Sequence, residues 1–370
     1  MQPAAGTVIT CKSTEEFSSW ISTAGGSLIV TTYQAGKVAF LGWNGQQVSL
    51  LMRDFQKPMG LAIHEDKIAL ATRNALWVFA NAPALAPSMI EHQPGRYDAL
   101  FLPRLLYCTG DLNIHDLAYA NDELWIVNTR FSCLANPSVD FCFTERWRPP
   151  FVTDLVPEDR CHLNGLAVVE GKPRYVTALG TTDVPGAWRD QKATGGIVMD
   201  VTSNAIVDTG LSMPHSPRWH QGKLWLLNSG AGELLVTEPE RGRSEVVCRL
   251  PGYLRGLCFV GNDAVVGLCK IRERHIFGGL PIQERGDQLL CGIAVVDTTA
   301  GRPKAIFEFT EGCHEIYDVG FLPGIHRANI LNLQRPEVYD AFPTPLYSYW
   351  LRPSSELPLD APAGGHSPPA

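Results

Sequence analysis

The sequence predicts an all-β, single-domain β-propeller of four-stranded antiparallel blades around a central channel. Two observations carry this reading. A strand-turn-strand pattern returns at intervals of roughly 40 to 60 residues, the signature of a repeat architecture. The 27 Pro and 34 Gly are also spread along the chain between short runs rich in Val, Ile, Thr, Trp and Tyr, a strand-and-turn composition without long helical periodicity.

The copies are PMGLAIHEDKIALAT (58–72), IHDLAYANDELWIVNT (114–129), LNGLAVVEGKPRYVTAL (163–179), PHSPRWHQGKLWLLNS (214–229), LRGLCFVGNDAVVGLC (254–269) and IYDVGFLPGIHRANILN (316–332). Each is a short apolar strand, a turn rich in Gly, Asn, Asp or Glu, and a second strand. Two further strand-like runs follow most copies, as in KLWLLNS, ELLVTE and SEVVCRL (223–229, 233–238, 244–250), which completes one blade. SLIVTTY, KVAFLGW and QVSLLMR (27–33, 37–43, 47–53) match the last three strands of a blade, and TEEFSSWIS supplies either the missing strand or a helix.

Second strands number seven and clear first strands six, so seven blades are favoured and six also fit, depending on whether 328–351 forms a final blade. In the seven-blade reading VITCK (8–12) closes the ring on the last blade. The propeller is assigned to 1–352, and the Pro- and Ser-rich tail 353–370 is expected to be disordered.

A formal net charge of −7 gives no general attraction to nucleic acid or anionic membranes, so any anion site is local. No run reaches the roughly 18 apolar residues of a membrane span, and the N-terminus lacks a basic-then-apolar leader, so a cytoplasmic protein is expected. Ten cysteines without a Cys-x-x-Cys pair fit reduced thiols packed in the core. Cys133 and Cys142 share one loop, where pairing or soft-metal binding is the alternative. There is no Gly-rich phosphate loop, nucleophile elbow or HExxH, and no nucleotide cofactor is expected.

In a propeller the loop entering an inner strand and the loop leaving the second strand lie on the same face. One mouth therefore gathers His115, Asn164, His215, Arg255, Glu315 and Tyr317 from entering loops, and Arg73, Asn128, Arg130, Asn228, Lys270 and Arg272 from leaving loops. The long segments 131–147, 180–196 and 270–290 fall there too and read as lids. His115, Asn164, His215 and Tyr317 hold equivalent positions. Two imidazoles and an amide, with Glu315 nearby, suit one divalent metal such as zinc, iron, manganese or calcium; the other reading is a channel filled by hydrogen-bonded side chains and water. The cluster of Arg and Lys suits a carboxylate or phosphate, since guanidinium forks match two oxygens. His162 is expected to point away from the axis.

LNGLAVVEGKPRYVTAL resembles the asparagine-bearing repeat of the gluconolactonase and regucalcin superfamily, calcium- or zinc-dependent propellers in which an Asn-Gly pair opens an inner strand and the Asn binds metal. The resemblance implies Asn164 as a ligand. Where that family has an aspartate opening a later inner strand, this chain has His215 in PHSPRWH. Across nearly residues 14 to 335, including TTYQAGKV, LWIVNTRFSCL, RCHLNGLA, MPHSPRWH and EIYDVGFLPG, the chain is similar to a bacterial family of conserved hypothetical propeller proteins, some joined to tetratricopeptide repeats. That similarity implies a fold and no activity.

The first functional reading is an enzyme acting on a small anionic substrate at the channel mouth, a metal-assisted hydrolase, lyase or isomerase. Tyr317, Glu315 and Arg255 are its catalytic groups. Arg130, Asn128, Asn228, Lys270, Arg272 and Arg73 hold substrate, and His115, Asn164 and His215 hold metal. The second is a non-catalytic module binding a peptide or protein partner through 131–147, 180–196 and 270–290.

Overall fold

The computed structural model describes residues 8–271 and 278–351. Its strands assemble into six antiparallel four-stranded blades, two of which carry a fifth strand at the outer edge. The inner strands are Leu61–His64 (blade II), Ile114–Ala120 (III), Leu163–Val169 (IV), Pro214–His220 (V), Tyr253–Val260 (VI) and Asp318–Pro323 (I). In blades II to VI the chain then steps outward through the next three strands in sequence order.

Blade I is split, and this corrects the favoured count of seven. Its outer strands Gly26–Thr32, Lys37–Trp43 and Val48–Asp54 come from the start of the chain, while its inner strand is Asp318–Pro323, registered from Gly26↔Pro323 to Thr31↔Asp318. IYDVGFLPG is thus the missing inner strand of the first blade rather than the opening of a seventh. Residues 328–351 build no blade: Ala328–Ile330 joins the outer strand of blade II in parallel, and Ala341–Pro343 pairs with Ser348–Trp350 in a small hairpin. The N-terminal strand Thr10–Ser13 does not close the ring. It pairs with Arg302–Glu311 on the outside of blade VI.

TEEFSSWIS resolves as a helix, Glu15–Thr23, capped by the Thr14 side chain, which accepts from the Phe17 N–H at 3.2 Å. Phe17, Trp20 and Ile21 recur at helical spacing and bury one face against blades I and VI, where Phe17 meets Phe307. Segment 131–147, expected to be a lid, instead supplies the outer strands Cys133–Asn136 and Thr144–Trp147 of blade III. The tail 353–370 lies outside the described residues.

The aligned inner strands carry an alternation around the ring. At one equivalent position stand Gly60, Asp116, Gly165, Ser216, Gly256 and Asp318 in blades II to VI and I. Each polar member reaches the next blade: Asp116 accepts from the Leu166 N–H at 3.0 Å, Ser216 from Gly256 at 3.1 Å and Asp318 from Leu61 at 3.0 Å. Each glycine lets the following inner strand approach closely. A Cβ at Gly60 would sit 2.9 Å from the Cα of Asp116, and one at Gly165 would sit 2.3 Å from the Cδ of Pro217.

Arg218, two residues beyond Ser216, crosses the channel. Its Nη1 and Nη2 donate to the two Asp116 oxygens at 2.8 and 3.1 Å, Nη2 lies 3.5 Å from Asp318, and Nε donates to the Leu257 carbonyl at 3.2 Å. One guanidinium faces two buried carboxylates. Burial pushes the Asp318 carboxyl up to about 7, Arg218 opposing and Asp116 adding to the rise.

Candidate functional site

One step before that alternation, each inner strand or the residues that lead into it contribute one side chain to a second ring: Met59, His115, Asn164, His215, Arg255 and Tyr317. All but the partly buried Arg255 are buried. Their convergence is visible in contacts between non-neighbouring blades. The rings of His115 (blade III) and Tyr317, which directly precedes the inner strand of blade I, lie 5.5 Å apart. From Tyr317 the contacts continue to Arg255, whose Cζ is 4.8 Å from the Tyr317 ring and 5.6 Å from that of Tyr253, and on to His215, whose ring lies 5.7 Å from Tyr253.

The two histidines are held in the same way. His115 Nδ1 lies 2.9 Å from the Asn113 carbonyl and 2.7 Å from Thr129 Oγ1; His215 Nδ1 lies 2.8 Å from the Met213 carbonyl and 3.1 Å from Ser229 Oγ. The carbonyls only accept, and both hydroxyls already donate to carbonyls, Thr129 to Leu163 and Ser229 to Leu227. Nδ1 therefore carries the proton in both rings, and Nε2 is left as an acceptor. Burial, with Arg255 contributing, holds both imidazoles well below the ordinary histidine range, so both are neutral at pH 7.

The ring also holds donors. Asn164 Nδ2, Arg255 Nε and the Tyr317 hydroxyl are buried without a hydrogen-bond partner among the described residues, as is the acceptor His215 Nε2. Such groups are costly unless something meets them. Burial pushes the Tyr317 phenol well above its usual value against the pull of Arg255, so it keeps its proton. A cavity of about 10 Å³, room for one water, lies among Tyr253, Arg255, Cys269, Lys270, Ile271 and Glu315.

Three ligand atoms fit a divalent metal only in part. His115 and His215 offer nitrogens, but the Asn164 oxygen accepts from Thr177 Oγ1 at 2.6 Å, so its amide turns N–H groups rather than oxygen to the ring. The Arg255 charge stands beside both imidazoles. No group of three or more His, Cys, Asp or Glu side chains able to hold a metal occurs among the described residues. This donor set suits an anion better than a second cation.

Other expected site residues are distributed differently. Arg130 donates from Nε to the Asp111 carbonyl, its Nη2 lies 3.3 Å from the Asp111 carboxylate, and Lys57 stands 3.7 Å from the same carboxylate. Arg73 is exposed, and burial, with Arg73 and Arg130 contributing against the pull of Asp111, draws the Lys57 ammonium down. Asn128 and Asn228 act as struts: Asn128 accepts from the Phe131 N–H at 3.2 Å, and Asn228 accepts from Ser212 at 2.7 Å while donating to Glu233 at 2.9 Å. Lys270 and Glu315 flank Arg255 in the small cavity, and Arg272 lies outside the described residues.

His162, expected to face away, packs its ring edge-on to His115 at 4.7 Å and pairs through Nδ1 with Asp159 at 2.8 Å. Trp188 from segment 180–196 packs its ring against that of His162 at 4.2 Å. Trp188 belongs to no repeat and carried no signal. Thr129 and Ser229 did: each follows an Asn at the end of a second strand, fourteen residues after its histidine.

A family model described as a domain of unknown function (DUF4915) matches residues 15–331. No curated protein matches the chain. Among solved structures, a chain of the nidogen/laminin complex is 10% identical with a TM-score of 0.51, covering 81% of this chain and 99% of its own. A Bacteroides caccae protein of unknown function is 8% identical with a TM-score of 0.48, covering 80% of this chain and 99% of its own. A streptogramin B lyase is 11% identical with a TM-score of 0.41, covering 72% of this chain and 78% of its own. The first of these supports the propeller fold and nothing finer.

Proposed function

For this chain, which belongs to the DUF4915 family, we propose a small-anion site at the axial mouth, with acid-base chemistry carried by its own side chains. The supporting observation is the set of buried, unpaired donors on one ring: Arg255 Nε, Asn164 Nδ2 and the Tyr317 hydroxyl. A carboxylate or similar oxyanion is the ligand that satisfies all three and offsets the guanidinium. Lys57, Arg73, Arg130 and Lys270 stand on the rim, where they attract the same charge as it approaches.

The neutral imidazoles supply the second half of the chemistry. Each has its tautomer fixed by Nδ1, so His115 or His215 Nε2 acts as a base toward a proton next to the bound carboxylate. Tyr317, still protonated and beside Arg255, returns a proton or stabilises the charge that develops. Proton abstraction followed by elimination or reprotonation makes a lyase or isomerase of a small carboxylic acid the favoured class. Should a divalent metal bind, His115 and His215 would be its nitrogen ligands and Asn164 would have to turn its amide, and the metal would polarise the substrate oxygen.

The test is a thermal-shift and calorimetric screen of small mono- and dicarboxylates and inorganic phosphate against wild type and Arg255→Gln. A ligand that stabilises only the wild type is expected. Anions that shift neither protein, or both equally, refute the site.

A further inference from the structure

The axial mouth is lopsided in charge, and the excess sits where the chain enters blades II and III. In blades II to V the residue two places ahead of the axial ring has a left-handed backbone: Lys57 (φ 53°), Asn113 (56°), His162 (52°) and Met213 (49°). Asparagine tolerates that region well and lysine poorly, so a lysine gains nothing there from the backbone and what it contributes is its side chain.

That side chain is only 14% exposed, although a lysine at a rim is free to extend into water. Its ammonium has three donors to place. Asn113 Oδ1 stands at 3.4 Å and the Asp111 carboxylate at 3.7 Å, both farther than an ordinary N–H···O bond reaches. Nζ also lies 5.2 Å from the centre of the Tyr33 ring, whose face is a weak substitute for an anion.

Two guanidinium groups share this place. Arg73 follows the second strand of blade II, Lys67–Ala71, and its backbone N–H donates to the Gln56 carbonyl at 3.0 Å, beside Lys57. Arg130 follows the second strand of blade III, Glu123–Asn128, with Nη2 at 3.3 Å from the Asp111 carboxylate. Arg73 makes no ion pair among the described residues. Three cations therefore face the single carboxylate of Asp111, and two positive charges are left over on a chain whose net charge is −7.

The cluster abuts the axial ring at two points. Asn113 meets Lys57 through its side chain and holds the His115 imidazole through its carbonyl. Tyr33, under the Lys57 ammonium, stacks on Tyr317 at 5.6 Å, and Tyr317 in turn has the Arg255 guanidinium 4.8 Å from its ring. Two stacked rings thus lie between one cationic centre and the other.

We infer that Lys57, Arg73 and Arg130 form a second anion subsite, and that the ligand of the mouth is a small dianion spanning both, with one carboxylate or phosphate on Arg255 and the other on the Lys57 cluster. This rests on the axial anion site proposed above and specifies its ligand: the guanidinium forks and the ammonium each want oxygens that the protein does not supply.

The experiment titrates the purified full chain calorimetrically with butyrate, with the α,ω-dicarboxylates from malonate to adipate, and with phosphoglycolate. In the wild type the best dicarboxylate should bind about tenfold or more tighter than butyrate, and affinity should pass through a maximum along the series because the two subsites stand at a fixed separation. Phosphoglycolate ranks phosphate against carboxylate at one end, and either order supports a dianion provided that it exceeds butyrate. Lys57→Gln and, separately, Arg73→Gln should lower the dicarboxylate affinity several-fold and leave butyrate nearly as in the wild type, whereas Arg255→Gln should lose both. If Lys57→Gln does not fold, Arg73→Gln, at an exposed position, decides. Butyrate bound as tightly as every dianion overturns the inference and leaves the axial site standing. A dicarboxylate preference that survives both rim substitutions overturns the subsite. Absence of binding by any of these anions, or binding indifferent to Arg255→Gln, overturns the axial reading and this inference with it.

Discussion

Replacing Arg218 by Met keeps much of the side-chain volume and removes the cation that lies between Asp116 and Asp318. The variant loses two hydrogen bonds to Asp116, the contact with Asp318 and the bond to the Leu257 carbonyl, and leaves two carboxylates facing each other across the channel. Breaking a buried pair by deleting one partner costs about 3–5 kcal/mol, mostly as the penalty of the uncompensated charge left behind. The loss is pH-dependent with a definite sign. Without Arg218 the Asp318 carboxyl rises further above its unfolded value, so the folded variant binds more protons than the unfolded chain in that interval. Stability is then regained as the pH falls through it. Guanidinium unfolding followed by tryptophan fluorescence at pH 8 and pH 5.5, wild type against Arg218→Met, measures both effects. The full loss is expected at pH 8 and a smaller one at pH 5.5. A loss under about 1 kcal/mol at pH 8, typical of an exposed pair, or an equal loss at both pH values, refutes the account of the channel.

Gly165→Ala places a Cβ 2.3 Å from Pro217 Cδ and 2.6 Å from Thr177 Oγ1, so it should cost about 1–3 kcal/mol in the same assay, while a neutral result would show that blades IV and V can separate freely. Because burial lowers His115 and His215, neither imidazole should titrate between pH 8 and 6.5 when followed by nitrogen-15 NMR; their contribution to stability is complete above the unfolded value near 6.5 and is lost as the pH falls below it. Elemental analysis of the purified protein should find well under one metal per chain; near-stoichiometric metal that disappears in His115→Ala/His215→Ala would replace the anion reading with a metal one. Thr129→Val removes the hydroxyl that shares the His115 Nδ1 proton, and the ring's tautomer signature should broaden toward a mixture; an unchanged spectrum would mean that the Asn113 carbonyl suffices.

The blade unit was legible because its information is local. Each inner strand, tight turn and second strand occupy fewer than twenty consecutive residues, and aligning those stretches placed His115, Asn164, His215, Arg255 and Tyr317 at one level. What escaped was set by pairings between distant parts of the chain. IYDVGFLPG looks like the start of a blade, and only its register with Gly26–Thr32 makes it the end of one. The outer strands of blade III are four residues each around a Pro- and Ser-containing turn, too short to show an alternating pattern. Asp116 and Asp318 could have been singled out from the Gly and Asp alternation of the aligned repeats. Arg218 could not, since its reach across the axis depends on the irregular register between His215 and Arg218 in blade V.

The split first blade also sets a schedule for synthesis. Strand Gly26–Thr32 leaves the ribosome early, yet its partner Asp318–Pro323 follows about 290 residues later, some 15–60 s at ordinary elongation rates. Throughout that interval the strand offers an unpaired edge, Leu28, Ile29 and Val30 included, to any other nascent chain. The ring is therefore a latch that locks last. Blades II to VI are each complete as they emerge, whereas a ribosome that stalls before residue 318 leaves a five-bladed arc with one sticky flap.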